Sequence, residues 1–315
     1  MSRQRPFRFG VSVNKVRSKE EWIATARKVE SLGYSTLLMP DHLGDQLGPV
    51  AALMAAAEAT QTLRIGSLVF DNDFRQPVML AKEAATLDLL SGGRFELGLG
   101  AGWMRSEYER AGIPFDSAGV RVNRLEEAVH IIKGLFADGP LTFSGNYYTV
   151  TDFEGHPKPV QRPYPPILIG GGGKRLLSIA AREATIVGFV PIFRADGSGT
   201  DVTDAAPESL MEKLAWVRQA AGDRFDDLEL NILVAEVVIT EDREQVAQFI
   251  AAAMAPNMEA SVEQVLQVPY VLIGTVDQIC ENLLARREQF GTSYITVFEK
   301  NLEALAPVIA RLAGS

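Results

Sequence analysis

Short apolar runs rich in β-branched residues alternate with helical patterns along the whole chain. That alternation constrains the fold more than any other feature. Strands are read at 7–13, 35–39, 63–70, 94–100, 166–170, 186–192, 228–238 and 293–298. Between them run helical patterns. Ser18 opens the first, with Glu21 three residues on as a capping box and Trp22, Ala26 and Val29 on one face. Others are read at 49–60, from Pro77, at 123–137 and at 174–184. A further helix carries Val246, Phe249, Ile250 and Ala253, and another starts at the Thr275–Gln278 pair. Leu302, Leu305, Ile309 and Leu312 line a closing one. Alternating β and α patterns make parallel sheets, and parallel strands buried on both faces read as continuous apolar runs, as these do. Eight such units predict an α/β fold, a (β/α)8 TIM barrel with insertions, rather than an open doubly wound sheet.

The 315 residues exceed the ~250 of a typical barrel. The excess is read as insertions at 141–165 and 194–207 within one domain spanning 1–315. The first is polar, aromatic and proline-rich, and reads as a small hairpin or a lid. The second carries Gly197, Ser198, Gly199 and several aspartates, and reads as a mobile lid. Either is also readable as a neutral surface insertion.

The net charge of −9 argues against a nucleic-acid partner. One cysteine, Cys280, excludes a disulfide framework and a multi-cysteine metal site. With three histidines, no metal is expected, and a reducing cytoplasm suits the chain. The N-terminal stretch 1–13 is basic without a long apolar core, so it does not read as a signal peptide. No apolar run is long enough to span a membrane.

In a barrel, chemistry sits where strands end and the following loops begin. After the second strand comes Asp41-His42. Histidine is the side chain most easily set to exchange a proton near neutral pH, and a neighbouring carboxylate stabilises its charged form. The pair reads equally as packing at the barrel rim. After the fifth strand, Gly170, Gly171, Gly172 and Gly173 precede Lys174 and Arg175. Four glycines before a helix exceed what a turn needs and expose backbone N–H groups to an anion, which favours phosphate. After the fourth strand, Gly98-Leu99-Gly100-Ala101-Gly102 reads as bare backbone for a flat ring or as close packing. It lacks the third glycine and the distant acid of a dinucleotide fingerprint. The structural reading takes His130 and Cys280, and His156 lies in an irregular loop. Glu107-Tyr108-Glu109-Arg110 and Arg286-Arg287-Glu288 read as solvated faces.

The stretches ARKVESLGYSTLLMPDHLGDQ, LRIGSLVFDNDFRQPVMLAKEAATLDLLSGGRFELGLGAGW, PILIGGGGKRLLSIAA and VLIGTVDQICENL together resemble the luciferase-like flavin and deazaflavin oxidoreductases. The likeness is nearest to the coenzyme F420-dependent branch and runs nearly end to end. It implies a cofactor ring across the C-terminal mouth of the barrel. It also implies a non-prolyl cis peptide at Leu68-Val69, forming a bulge behind that ring. Asp41 and His42 match residues that flank the deazaflavin. Gly100, Ala101, Gly102 and Trp103 match the cofactor-contacting loop, and Gly171, Gly172 and Gly173 the phosphate loop.

The implied activity is hydride transfer between the deazaflavin C5 and a small organic substrate, as a reductase. His42 handles the proton, and Asp41 orients His42 or contacts the ring. An FMN-dependent monooxygenase and a non-catalytic flavin-binding barrel are the competing readings. A homodimer through barrel-side helices follows from the resemblance alone. The chain departs from the family's sugar-phosphate dehydrogenases, which carry a glutamate where Trp103 stands. It also has Thr185 where many members have an aspartate, and 194–207 matches no motif.

Overall fold

The computed structural model describes residues 5–254 and 260–315. The first four residues of the basic N-terminal stretch, and the side chain of Ala253, lie outside the described part. Eight strands close a barrel. They are β1 (Arg8–Ser12), β2 (Thr36–Met39), β3 (Arg64–Ser67), β4 (Phe95–Gly100), β5 (Ile167–Gly171), β6 (Ile186–Phe189), β7 (Glu229–Val234) and β8 (Thr292–Phe298). Each pairs with the next, β8 returns to β1, and every pairing in the ring is parallel. This is the (β/α)8 architecture the alternation predicts.

The helices form where the periodicity places them. Lys19–Ser31 is capped by the Ser18 hydroxyl and buries Trp22, Ala26 and Val29. Val276–Phe290 starts in a complete capping box between Thr275 and Gln278. Leu302–Leu312 buries Leu305, Val308 and Ile309 against the barrel. The main core lies between strands and helices. A second apolar cluster, Leu38, Leu168, Ile186 and Tyr294, has Leu68 and Val69 packed against it half-buried. No helix among the described residues is long and apolar enough to cross a membrane.

Three boundaries differ from the sequence reading. The third strand stops at Ser67. The chain then turns through a cis Leu68–Val69 bond and resumes at Phe70–Asp71, which pairs with the end of β4. The Ser67 hydroxyl bridges the gap, donating to the Gly98 carbonyl at 2.8 Å and accepting from its N–H at 3.0 Å. The seventh strand stops at Val234, and Glu236–Ile239 forms a separate parallel pair with Val271–Gly274. Asn301 takes the backbone at that break, donating to the Ala235 carbonyl and accepting from Val237 N–H. The sixth strand ends at Phe189.

The insertion at 141–165 contains an antiparallel hairpin, Leu141–Ser144 with Thr149–Phe153. The solvated-face reading fails for Arg286. It is 7% exposed and donates to the carbonyls of Val268, Pro269 and Val271, tying down the turn before Val271–Gly274. Cys280 is buried among apolar neighbours, and His130 sits 3.4 Å from Glu183 at the surface.

Candidate active site at the strand C-termini

The cis turn brings Val69 to the centre of the mouth. A Cβ on Gly98 or Gly100 would collide with Val69 or with the Ser67 carbonyl, so only glycine lets β4 run this close. Gly170 also faces Val69. Leu68 and Val69 stay half-buried, an apolar surface flanked by bare backbone from β4 and β5. Such a surface accommodates a flat ring. At the far side Gly173 is the N-cap of Lys174–Glu183, and no side chain caps that helix. Its first N–H groups and the positive end of the helix are therefore open to an anion. A flat ring carrying a phosphate fits both features.

His42 follows β2 at the rim, with 31% of its side chain exposed. Its Nδ1 lies 2.9 Å from Glu107 Oε2. An ionised carboxylate only accepts, so Nδ1–H donates and Nε2 is left for other work. Glu107 also accepts from Leu43 N–H at 3.1 Å, which fixes its carboxylate on both oxygens. Trp103 meets the imidazole edge-on, with ring centres 5.7 Å apart. Phe193 stacks on Trp103 at 4.8 Å, with the planes within 20°.

Two expectations are corrected here. Asp41 does not hydrogen-bond His42. Both of its oxygens are taken by the Arg75 guanidinium, and one also accepts from Asp71 N–H at 3.1 Å. A fixed bidentate cation wins over a rim imidazole for that carboxylate. Glu107 and Tyr108 are not a solvated face. They lie on the short helix Arg105–Ala111, which turns both inward. Tyr108 is fully buried and donates to Asp71 at 2.7 Å.

Asp71, Asp73 and Tyr108 form a buried polar group to which the sequence reading assigns no role. Asp71 is pushed up to about 7, first by burial and then by the charges of Asp73 and Asp41; the Asp73 N–H and the Tyr108 hydroxyl act against this. Burial also raises Asp41 and Asp73, against the pull of Arg75 and Arg124 respectively. Arg124 pairs with Asp73 at 3.0 Å. Arg121 donates to the carbonyls of Ala101 and Gly102, so a buried cation pins the loop that precedes Trp103. The remaining expected residues, Leu68, Val69, Gly100 to Trp103 and Gly170 to Gly173, all lie at this end of the barrel.

Residues 6–293 match the model of the luciferase-like monooxygenase family. An F420-dependent glucose-6-phosphate dehydrogenase of Microbacterium testaceum (strain StLB037) is 31% identical over 233 residues, covering 71% of this chain and 66% of that protein. An FMNH2-dependent dimethylsulfone monooxygenase of Pseudomonas putida is 26% identical over 253 residues, covering 73% and 68%. The chain thus spans about two thirds of the length of these curated relatives. The solved structure of an F420-dependent tetrahydromethanopterin reductase from Methanopyrus kandleri has the same fold, with a TM-score of 0.76 at 16% identity over 98% of each chain.

Proposed function

Because the chain belongs to the luciferase-like monooxygenase family, we propose that it is an F420-dependent oxidoreductase acting on a small organic substrate as a reductase of a C=C or C=N bond. The observation that carries this reading is the His42–Glu107 pair at the same end of the barrel as the half-buried apolar surface of Leu68–Val69. When bound, the deazaflavin supplies a hydride. The chain's own residues do the rest. Leu68, Val69 and the bare backbone of Gly98 and Gly100 give a ring its seat. Gly171 to Gly173 and the open helix terminus hold a phosphate. Glu107 keeps Nδ1–H of His42 engaged, and protonated Nε2 delivers the proton that must accompany a hydride. Arg75 holds Asp41, so Asp41 shapes the mouth rather than relaying that proton. Trp103 and Phe193 cover it from the substrate side and exclude water.

The first test is a side-by-side binding titration with F420 and with FMN. Preferential F420 binding, at micromolar affinity or tighter, is expected, followed by consumption of reduced F420 in a screen of unsaturated and imine substrates. Preferential FMN binding overturns the cofactor assignment and favours the monooxygenase chemistry of the Pseudomonas relative. Retained F420 without turnover across the screen leaves a cofactor-binding barrel. In an active preparation, His42→Ala should lower turnover more than ~100-fold. Near-normal turnover removes His42 from proton transfer.

A further inference from the structure

Lys213 lies on the helix Pro207–Ala221 and is 1% exposed, yet nothing in the chemistry above uses it. Buried ammonium groups persist only where their hydrogen bonds are met. This one donates to the Val190 carbonyl at 3.1 Å, just past the end of β6, and to Asp204 Oδ2. The same Asp204 oxygen accepts from Ile192 N–H at 2.6 Å. Asp201 N–H closes back onto the Ile192 carbonyl at 2.7 Å. The segment from Phe193 to Thr200 is thus pinched at its base by one buried cation and one carboxylate.

Its tip is seated as well. Arg194 N–H bonds the Gly199 carbonyl at 2.8 Å, and Gly197 N–H bonds the Arg194 carbonyl at 3.0 Å. Gly197, at φ +74°, abuts the Trp103 carbonyl and Arg105 N–H so closely that a Cβ would come within 2.6–2.7 Å of them. Phe193 lies between base and tip, stacked on Trp103. The base is also built onto the phosphate loop, because a Cβ on Gly172 would meet Ile192 N and Cα at 2.7 Å and the Val190 carbonyl at 2.8 Å. The loop read from sequence as a mobile lid is therefore held at both ends over the mouth.

We propose that Lys213 is a positioning residue for this enzyme: through Asp204 and Ile192 it seats the 193–200 segment as a closed lid, which sets Phe193 on Trp103 and bounds the substrate side of the site. The physical placement of the lid stands independently of the proposed function; only the substrate it bounds rests on that reading.

Tryptic cleavage after Arg194, an exposed bond on the lid, reports seating without any cofactor or substrate. Lys213→Met keeps the side chain's bulk and removes the ammonium, so the base should open. Cleavage after Arg194 should rise at least tenfold, with other sites changing much less. Lys213→Arg, which restores a buried donor cation, should recover part of the protection. Gly197→Ala leaves the base intact and unseats the tip. Lying in a surface loop, it keeps the test alive if Lys213→Met folds poorly, and it should raise the same cleavage. Where turnover is measurable, Lys213→Met should raise KM more than it lowers kcat. Unchanged cleavage after Arg194 in folded Lys213→Met overturns the proposal, and unchanged cleavage in Gly197→Ala overturns the seated tip it depends on. An equal rise at all sites in Lys213→Met also overturns the proposal and assigns Lys213 to core stability alone. Absence of any turnover with the lid result intact would instead count against the proposed function.

Discussion

At the N-terminal end of the strands, Arg8 and Arg64 face Glu96 and Glu229. At the C-terminal end, Asp41, Asp71 and Asp73 share their space with Arg75, Arg121 and Arg124. The residue types are alike, but the pairing is not. Arg8 bonds Glu229 through Nε and Nη2 at 2.6 Å and Glu96 through Nη1 at 2.6 Å, with its guanidinium 3.5 Å over the Tyr294 ring. Arg64 reaches the same Glu96 oxygen. Burial alone would raise Glu96, but Arg8 and Arg64 outweigh it and hold the carboxyl below its usual range. At the mouth, Arg75 is committed to Asp41, Arg124 to Asp73, and Arg121 to backbone carbonyls. Asp71 keeps only a hydroxyl and an N–H, and it rises to about 7. One end closes its charges into a plug. The other leaves one buried carboxyl, Asp71, without a cation and titrating near neutral pH.

The largest expected effect lies at the plug. Glu96→Gln leaves Arg64 without its carboxylate and Arg8 with Glu229 alone, an uncompensated charge that in a buried setting typically costs about 3–5 kcal/mol. Chemical denaturation should show a loss of that order, while the cofactor affinity of the folded fraction stays within twofold. A loss below about 1 kcal/mol would mean that the plug is neutral filler and that the two ends differ less than their geometry implies.

The next effect lies at the mouth and spares stability. Glu107→Ala removes the acceptor on His42 Nδ1 without touching Nε2. Turnover on the best substrate of the screen should fall roughly 10- to 100-fold, with the thermal midpoint shifted by only a few degrees. A large drop in midpoint with unchanged turnover per folded molecule would assign Glu107 to packing and break the contrast from the other side.

Much of this was readable from the chain, and the exceptions have physical reasons. The barrel was legible because strands covered on both faces cannot hide their apolar runs. The expected site residues sit at the mouth because strand ends fall where those runs stop. Glu107 was not legible. On a helix of seven residues, one turn decides which charges face inward, and periodicity has too few repeats to tell. The plug was illegible for another reason: Arg8 finds Glu96 and Glu229 at separations of 88 and 221 residues. No local pattern encodes that meeting; only barrel closure creates it. Periodicity alone hides the break after Ser67, because Leu68, Val69 and Phe70 continue an apolar run that the backbone does not follow; the family resemblance places the cis bond at Leu68–Val69, where it stands.

The smallest effect is a pH dependence, and its sign follows from which state holds the proton. Unfolded, Asp71 titrates near its ordinary value of about 4. Folded, it holds its proton up to about 7. Between those values the folded state binds more protons than the unfolded one, so this group's contribution falls as pH rises through the window and levels off above it. Asp71→Asn removes the titration while keeping an oxygen that can accept from both Tyr108 and Asp73 N–H. The variant's thermal midpoint should therefore gain on the parent's as pH is raised from 5 to 8, by roughly 2–4 °C or more. Glu96→Leu, tested over the same range, should show no such trend. Arg8 and Arg64 hold the Glu96 carboxyl below its usual range, so its stabilising share is nearly complete at pH 5, and the variant's deficit stays nearly flat up to pH 8 and shrinks only towards acid. A gap between Asp71→Asn and parent that does not move with pH would show that Asp71 is charged throughout. The two ends of the barrel would then differ in position but not in proton affinity.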